Sequence, residues 1–199
     1  MAASAASATE QSADSGSGPL LERRYFIDLD HPRLSAAALF QYVSRHVAEL
    51  APDLLAEFEK THGAPDDELR VGHEFHIRIL GPWNGRVRVV EVGPRHFELC
   101  TLDGHPEAGR IRFAVRELAL PRGAVRFEIR SRARSRDGLV AFAYATIGVG
   151  KQLQEETWVT FCRRVAEAGG GEPLGPVQVI THNHDAPAEP AEQHTRQPL

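Results

Sequence analysis

Apolar and polar residues first alternate at "RRYFIDLD", Arg23–Asp30, where Tyr25, Ile27 and Leu29 share one face. A period of two predicts a first strand. The pattern then becomes helical. Ser35 is placed to cap a helix whose apolar stripe is Leu39, Tyr42, Val43, His46, Val47 and Leu50. Pro52 breaks that stripe and can open a second helix, with Leu54, Leu55 and Phe58 as its apolar side and Gly63 at its end.

From Val71 the period returns to two. Phe75, Ile77 and Ile79 alternate with Glu74, His76 and Arg78. "RVRVVEV", "HFELCTL", the stretch with Ile111, Phe113 and Val115, and the stretch with Val125, Phe127 and Ile129 continue as strands separated by turn signals. "AFAYATIG", 141–148, fits either a sixth strand or the start of a helix. Leu153, Thr157, Phe161 and Val165 then recur every four residues, and Gly169–Gly171 stop the helix. The expected fold is α+β: a curved antiparallel sheet of about six to seven strands packed on a long C-terminal helix, with two short helices after the first strand.

Composition bounds the domain. The opening Ala/Ser/Gly stretch and the closing stretch from His182 are poor in core residues. They predict a disordered N-terminal tail over 1–20, one domain over 21–171 and a flexible C-terminal tail over 172–199. Neither a signal peptide nor a membrane span is expected, so the chain reads as cytoplasmic. Cys100 and Cys162 read as a reduced pair. A net charge of −4 does not point to nucleic acid; Arg110 to Arg136 read as a solvated outer face, with Arg126 to Arg136 cross-paired with Glu98 or Glu128.

Candidate chemistry is sparse. In "GHPEAG", His105 and Glu107 lie two apart around Pro106, which fixes the backbone. As an oriented pair they are the catalytic candidates; as a shaped turn they are structural, and the turn is the favoured reading. Phe75, Phe113, Phe127, Tyr144, Trp158 and Phe161 should point between sheet and helix, and with Trp83 they are the ligand-lining candidates. Each is also accounted for as core. Glu155 and Glu156 suit the start of a helix. "THNHD" in a tail is not read as a metal site, and neither a cofactor nor a metal is expected.

The element order resembles the helix-grip arrangement of the START/Bet v 1-like superfamily, in which a curved sheet wraps the last helix. "WNGRVRVVEV", "FELCTLDGHPEAG" and "RFAVRELALPRGAVRFEIRSRARS" also resemble an uncharacterised family, domain of unknown function nineteen-ninety, over about residues 72–168. The chain departs from that pattern at Cys100, Arg110 and Arg112. The resemblance implies a fold and leaves function open. The expected function is binding of a hydrophobic small molecule in a cavity between sheet and helix. The alternatives are a cyclase or dehydratase using the same cavity, and a protein-interaction domain. No nucleic-acid partner is expected, and a homodimer is allowed.

Overall fold

The computed structural model describes residues 8–52, 56–61, 68–79, 84–137, 149–186 and 192–196. Strand β1, Ser17–Asp30, is followed by helices α1, Ala36–Arg45, and α2, Val47–Leu50. Strands β2, Ala56–Lys60, β3, Glu74–Ile79, β4, Gly85–Gly93, β5, His96–Thr101, β6, Glu107–Glu117, and β7, Val125–Ser135, come next. Helix α3, Val149–Gly169, precedes β8, Glu172–Pro173, β9, Val177–Asn183, and β10, Glu192–Arg196.

The strands form one sheet in the order β10-β9-β1-β7-β6-β5-β4-β3-β2, with β8 pairing beside β9 on β1. The described pairings are all antiparallel. From β2 to β7 each strand pairs with the next in sequence, and from β3 onward short connections between alternating strands account for it. β1 closes that meander on β7, with Ile27 opposite Phe127 and Tyr25 opposite Ile129. Its other edge takes β9, with Tyr25 opposite Val179.

The pleat sorts the side chains. Phe97, Leu99, Phe113, Val115, Phe127, Ile129, Tyr25, Ile27 and Val179 are buried on the face covered by the helices. α3 packs over β1, β7 and β9, and α1 over β6. Phe161 of α3 sits 5.4 Å from Phe113 and 5.8 Å from Phe127, and Phe113 stacks on Phe97 at 4.7 Å. Aromatic contacts at these distances add about 0.5–1.5 kcal/mol each beyond the area they bury. Ser35 caps α1 as expected, its hydroxyl accepting from the Ala38 N–H at 3.2 Å. Arg164 of α3 donates to the carbonyls of Glu49 and Ala51, which ties α2 to α3.

Four details differ from the sequence reading. The second helix after Pro52 is replaced by β2, because pairing with β3 across Phe58–Ile77 outweighs the local helical pattern. The helical stripe through Leu50 is itself broken at His46, which divides it into α1 and α2. Among the described residues the sheet has ten strands, not six or seven. Both expected tails contribute to it: residues 17–20 begin β1, and residues 172–183 and 192–196 supply β8, β9 and β10. Val177 and Val179 are buried on the inner face, so β9 has the alternation of a half-buried strand. Residues 141–148 lie outside the described residues.

On the outer face the arginines meet carboxylates across strands. Arg126 makes a two-point pair with Asp28 at 2.6 and 2.7 Å, Arg24 meets Glu128 at 2.8 Å, and Arg110 meets Glu98 at 3.1 Å. Among the described residues no helix is long and apolar enough to cross a membrane.

The place of β9 in the sheet has a direct consequence. A chain ending at Gly171 would leave β1 with a bare edge and uncover Tyr25. It should give no soluble product or a clearly lowered urea midpoint. An unchanged midpoint would return residues 172–199 to the status of a tail.

Candidate functional site

"GHPEAG" forms a tight corner between β5 and β6. Gly104 takes a left-handed φ of +92°, a conformation that favours glycine, and the His105 N–H donates to the Leu102 carbonyl at 3.0 Å. The corner turns the imidazole of His105 inward against β4. A Cβ on Gly85 would lie 2.1 Å from His105 Cδ2, so the ring rests on bare backbone. His105 Nδ1 is 3.0 Å from the Glu107 N–H, which donates to it in the neutral ring, and 3.0 Å from the Glu107 carbonyl. Gln11, itself buried, donates to the carbonyls of both His105 and Glu107 at 3.1 and 2.9 Å. Burial is the main reason His105 binds a proton less readily than an ordinary histidine; Glu107 opposes that shift and Arg136 adds to it.

The corner therefore separates the two residues that the spacing placed together. His105 is a packed, hydrogen-bonded part of the turn. Glu107 is the first residue of β6, on the same face as Ile111, Phe113 and Val115. There its carboxylate approaches Arg23 of β1 at 3.6 Å, with the side chains only 19% and 11% exposed. The contact crosses β7, whose residues on this face are small: Ser131, Ala133 and Ser135. Their size leaves room for two long charged side chains to meet.

Tyr25 lies two residues along β1 from Arg23 and is buried. Desolvation raises the pKa of its phenol well above the ordinary value. Arg23 acts against that shift, while Glu155 and Glu107 add to it. Glu155 of α3 is in turn 3.0 Å from His194 of β10. An ion pair, a protonated phenol and a second carboxylate thus adjoin a mainly apolar inner face. Such a set can orient the polar end of a molecule whose body lies on that face, or exchange a proton with it.

Residues 23–165 match a family model described as a domain of unknown function (DUF1990). The chain belongs to the DUF1990 family. The match runs from Arg23 in β1 into α3, so it includes Tyr25, Glu107 and Glu155 and is wider than residues 72–168. No curated protein matches this DUF1990 chain in sequence. Among solved structures, a hypothetical protein from Helicobacter pylori is 11% identical, with 73% of this chain and 86% of that one covered and a TM-score of 0.52. Norcoclaurine synthase from Thalictrum flavum, in complex with dopamine and hydroxybenzaldehyde, is 10% identical, with 75% and 88% covered and a TM-score of 0.47. A protein from Mycobacterium smegmatis is 14% identical, with 80% and 94% covered and a TM-score of 0.47. At these identities the likeness is one of fold alone.

In the DUF1990 chain the expected lining residues Phe75, Phe113, Phe127, Trp158 and Phe161 all lie in one contiguous core. Trp158 meets Phe113 edge-on at 5.7 Å. Trp83 and Tyr144 lie outside the described residues. The sequence pattern gives Tyr25 only a place on the apolar face of the first strand, Glu155 only a helix-dipole role, and Arg23 no role. One signal could have found Arg23: it falls on the same strand face as Tyr25, Ile27 and Leu29. A charge in phase with a buried stripe is a candidate for function.

The packing of His105 on Gly85 can be tested by a double-mutant cycle. Gly85→Ala should destabilise the protein by about 1–3 kcal/mol through overpacking. His105→Ala should remove most of that added cost, as read by urea unfolding. Independent, additive losses would mean that the two residues do not touch.

Proposed function

We propose that this protein binds a hydrophobic small molecule on the inner face of the sheet, with the polar end of the ligand against Arg23, Glu107 and Tyr25. The observation that carries the reading is the Arg23–Glu107 pair, mostly buried at 3.6 Å on a face built mainly from apolar and small uncharged residues. Taking two charges out of water costs several kcal/mol per ion before their attraction is counted. A fold that needed only a packed core would gain as much from apolar residues there. A site that must hold a polar group at a fixed point has a use for the pair. The aromatic residues of α3 and β6 supply the apolar surface beside it, and each 100 Å² of ligand surface covered is worth about 2.5 kcal/mol before the costs of association.

A second reading, an enzyme of cyclase or dehydratase type, is favoured by one observation. The Tyr25 phenol stays protonated near two carboxylates, Glu107 and Glu155. Tyr25 and Glu107 share the inner face, so a weakly acidic phenol and a carboxylate there could carry general acid–base chemistry. His105 is not proposed for that role, since its ring nitrogen is engaged by the backbone of its own turn.

Native mass spectrometry before and after denaturation should detect a small apolar molecule released from the purified protein. The Arg23→Gln/Glu107→Gln variant, which removes both charges together, should retain it about ten- to a hundredfold more weakly. A clean ligand-free mass without saturable uptake of the fluorophore 8-anilinonaphthalene-1-sulfonate would contradict the binding function. Unchanged retention in the double variant would move the site away from the pair.

A further inference from the structure

The chain before β1 runs across the corner at the end of β5 and β6. The Gln11 N–H donates to the Thr101 carbonyl at 2.7 Å, and the Asp103 N–H donates to the Thr9 carbonyl at 3.0 Å. Glu10 and Leu102 form an isolated antiparallel bridge. The Thr101 hydroxyl donates to the Gln11 carbonyl at 2.9 Å, and Arg88 of β4 donates to the Ala8 carbonyl at 2.9 Å. With the two bonds from the Gln11 amide, the segment is held almost wholly by hydrogen bonds. Residues 8–16, "ATEQSADSG", contain no large apolar side chain. A segment anchored in this way sits at the low-stability end of a fold.

Cys100 lies on the outer face of β5 between Arg88 and Arg110. Both arginines reach the segment, Arg88 at Ala8 and Arg110 at Glu10 at 3.8 Å, and Cys100 is fully buried. Cys162, the other cysteine, belongs to α3 and is buried in the core. The two thiols therefore report different openings: Cys100 the release of the segment, and Cys162 the unfolding of the domain.

We propose that residues 8–16 are an acid-released strap: when His105 takes up a proton, the strap leaves the sheet and Cys100 becomes accessible. The coupling is geometric. Gln11 holds the carbonyls of His105 and Glu107, and the Glu107 carbonyl and N–H both lie against His105 Nδ1. A proton on Nδ1 removes the acceptor for the Glu107 N–H, makes that nitrogen a donor to the Glu107 carbonyl that Gln11 holds, and places a charge on a ring packed against Gly85. Two charged groups act on the ring. Glu107, which belongs to β6 and is shared with Arg23, favours the proton, and Arg136, which follows β7 and is paired with Asp137, disfavours it. The facing groups from β4 and the strap, the Gly85 backbone and the Gln11 amide, are neutral.

Burial lowers the proton affinity of the docked ring below that of a free histidine. Docking is therefore complete above the ordinary histidine value and weakens as pH falls from there toward the docked value. The limit is about tenfold per pH unit, beginning near pH 6.5.

The test is labelling of the full chain with 4,4′-dithiodipyridine between pH 7.5 and 5, each thiol assigned by mass and its rate divided by that of the urea-unfolded chain. Cys100 should react faster as pH falls, by up to about tenfold per unit below pH 6.5, while Cys162 stays protected. His105→Asn, whose Oδ1 can take the place of Nδ1 as acceptor without titrating, should give a flat profile. Gln11→Ala should raise Cys100 labelling at pH 7.5 about ten- to a hundredfold with Cys162 still protected. The proposal is overturned if Cys100 and Cys162 react together. It is overturned equally if His105→Asn keeps the acid response or if Gln11→Ala leaves Cys100 protected.

Discussion

Charges on an apolar face must be compensated, and the arrangement around Arg23 and Glu107 follows from that requirement. The pleat places both residues on the helix-covered side of the sheet, since Arg23 shares a face with Tyr25 and Glu107 shares one with Phe113. Each side chain is long enough to reach the other only because β7 offers Ser131 and Ala133 between them. Two small residues on a central strand weaken local packing, and two buried ions cost desolvation. A protein under selection for stability alone has no reason to keep both. That combined cost is the argument for a ligand at this spot.

The outer face shows the contrast. Its arginines pair with Glu22, Glu98, Glu128 and Asp28 on neighbouring strands, and Arg126 also lies over the Phe26 ring at 3.8 Å. Arg126 and Asp28 are nearly as enclosed as the inner pair, with side chains 17% and 21% exposed, whereas the more open pairs, Arg130 with Glu22 and Arg110 with Glu98, contribute little each, typically under about 1 kcal/mol. Their effect is to neutralise one side of the sheet in rows across strands. The recognisable chemistry is then left to the inner face and to the corner at residues 102–107, where a histidine, a glutamine and a threonine bond to backbone rather than to solvent.

Much of this was legible in the residues. Period-two alternation located β1 and β3 to β7, and the four-residue recurrence from Leu153 to Val165 located α3. The corner at "GHPEAG" read as a shaped turn, and the turn holds His105 as its own hydrogen-bonded part. Three things were not legible. β2 has a local pattern that fits a helix, and only its partner β3 makes it a strand. β10, "EQHTR", has no apolar residue, so nothing in its composition marks it as part of a sheet. The Arg23–Glu107 contact joins residues 84 positions apart (107 minus 23) and crosses a strand between them, so no local spacing could reveal it. Arg23 was nonetheless in phase with a buried stripe, and that phase was the one available signal.

The most direct measurement is the stability of the Arg23→Met/Glu107→Met protein in urea, beside its ligand retention. Replacing a buried pair by apolar residues of similar volume is often neutral or stabilising, by about 1–4 kcal/mol. The account predicts a midpoint equal to or above that of the natural protein, together with loss of ligand, because the pair is kept for binding. A loss of several kcal/mol with ligand retention intact would contradict it and make the pair part of the frame that holds β1, β6 and β7 together.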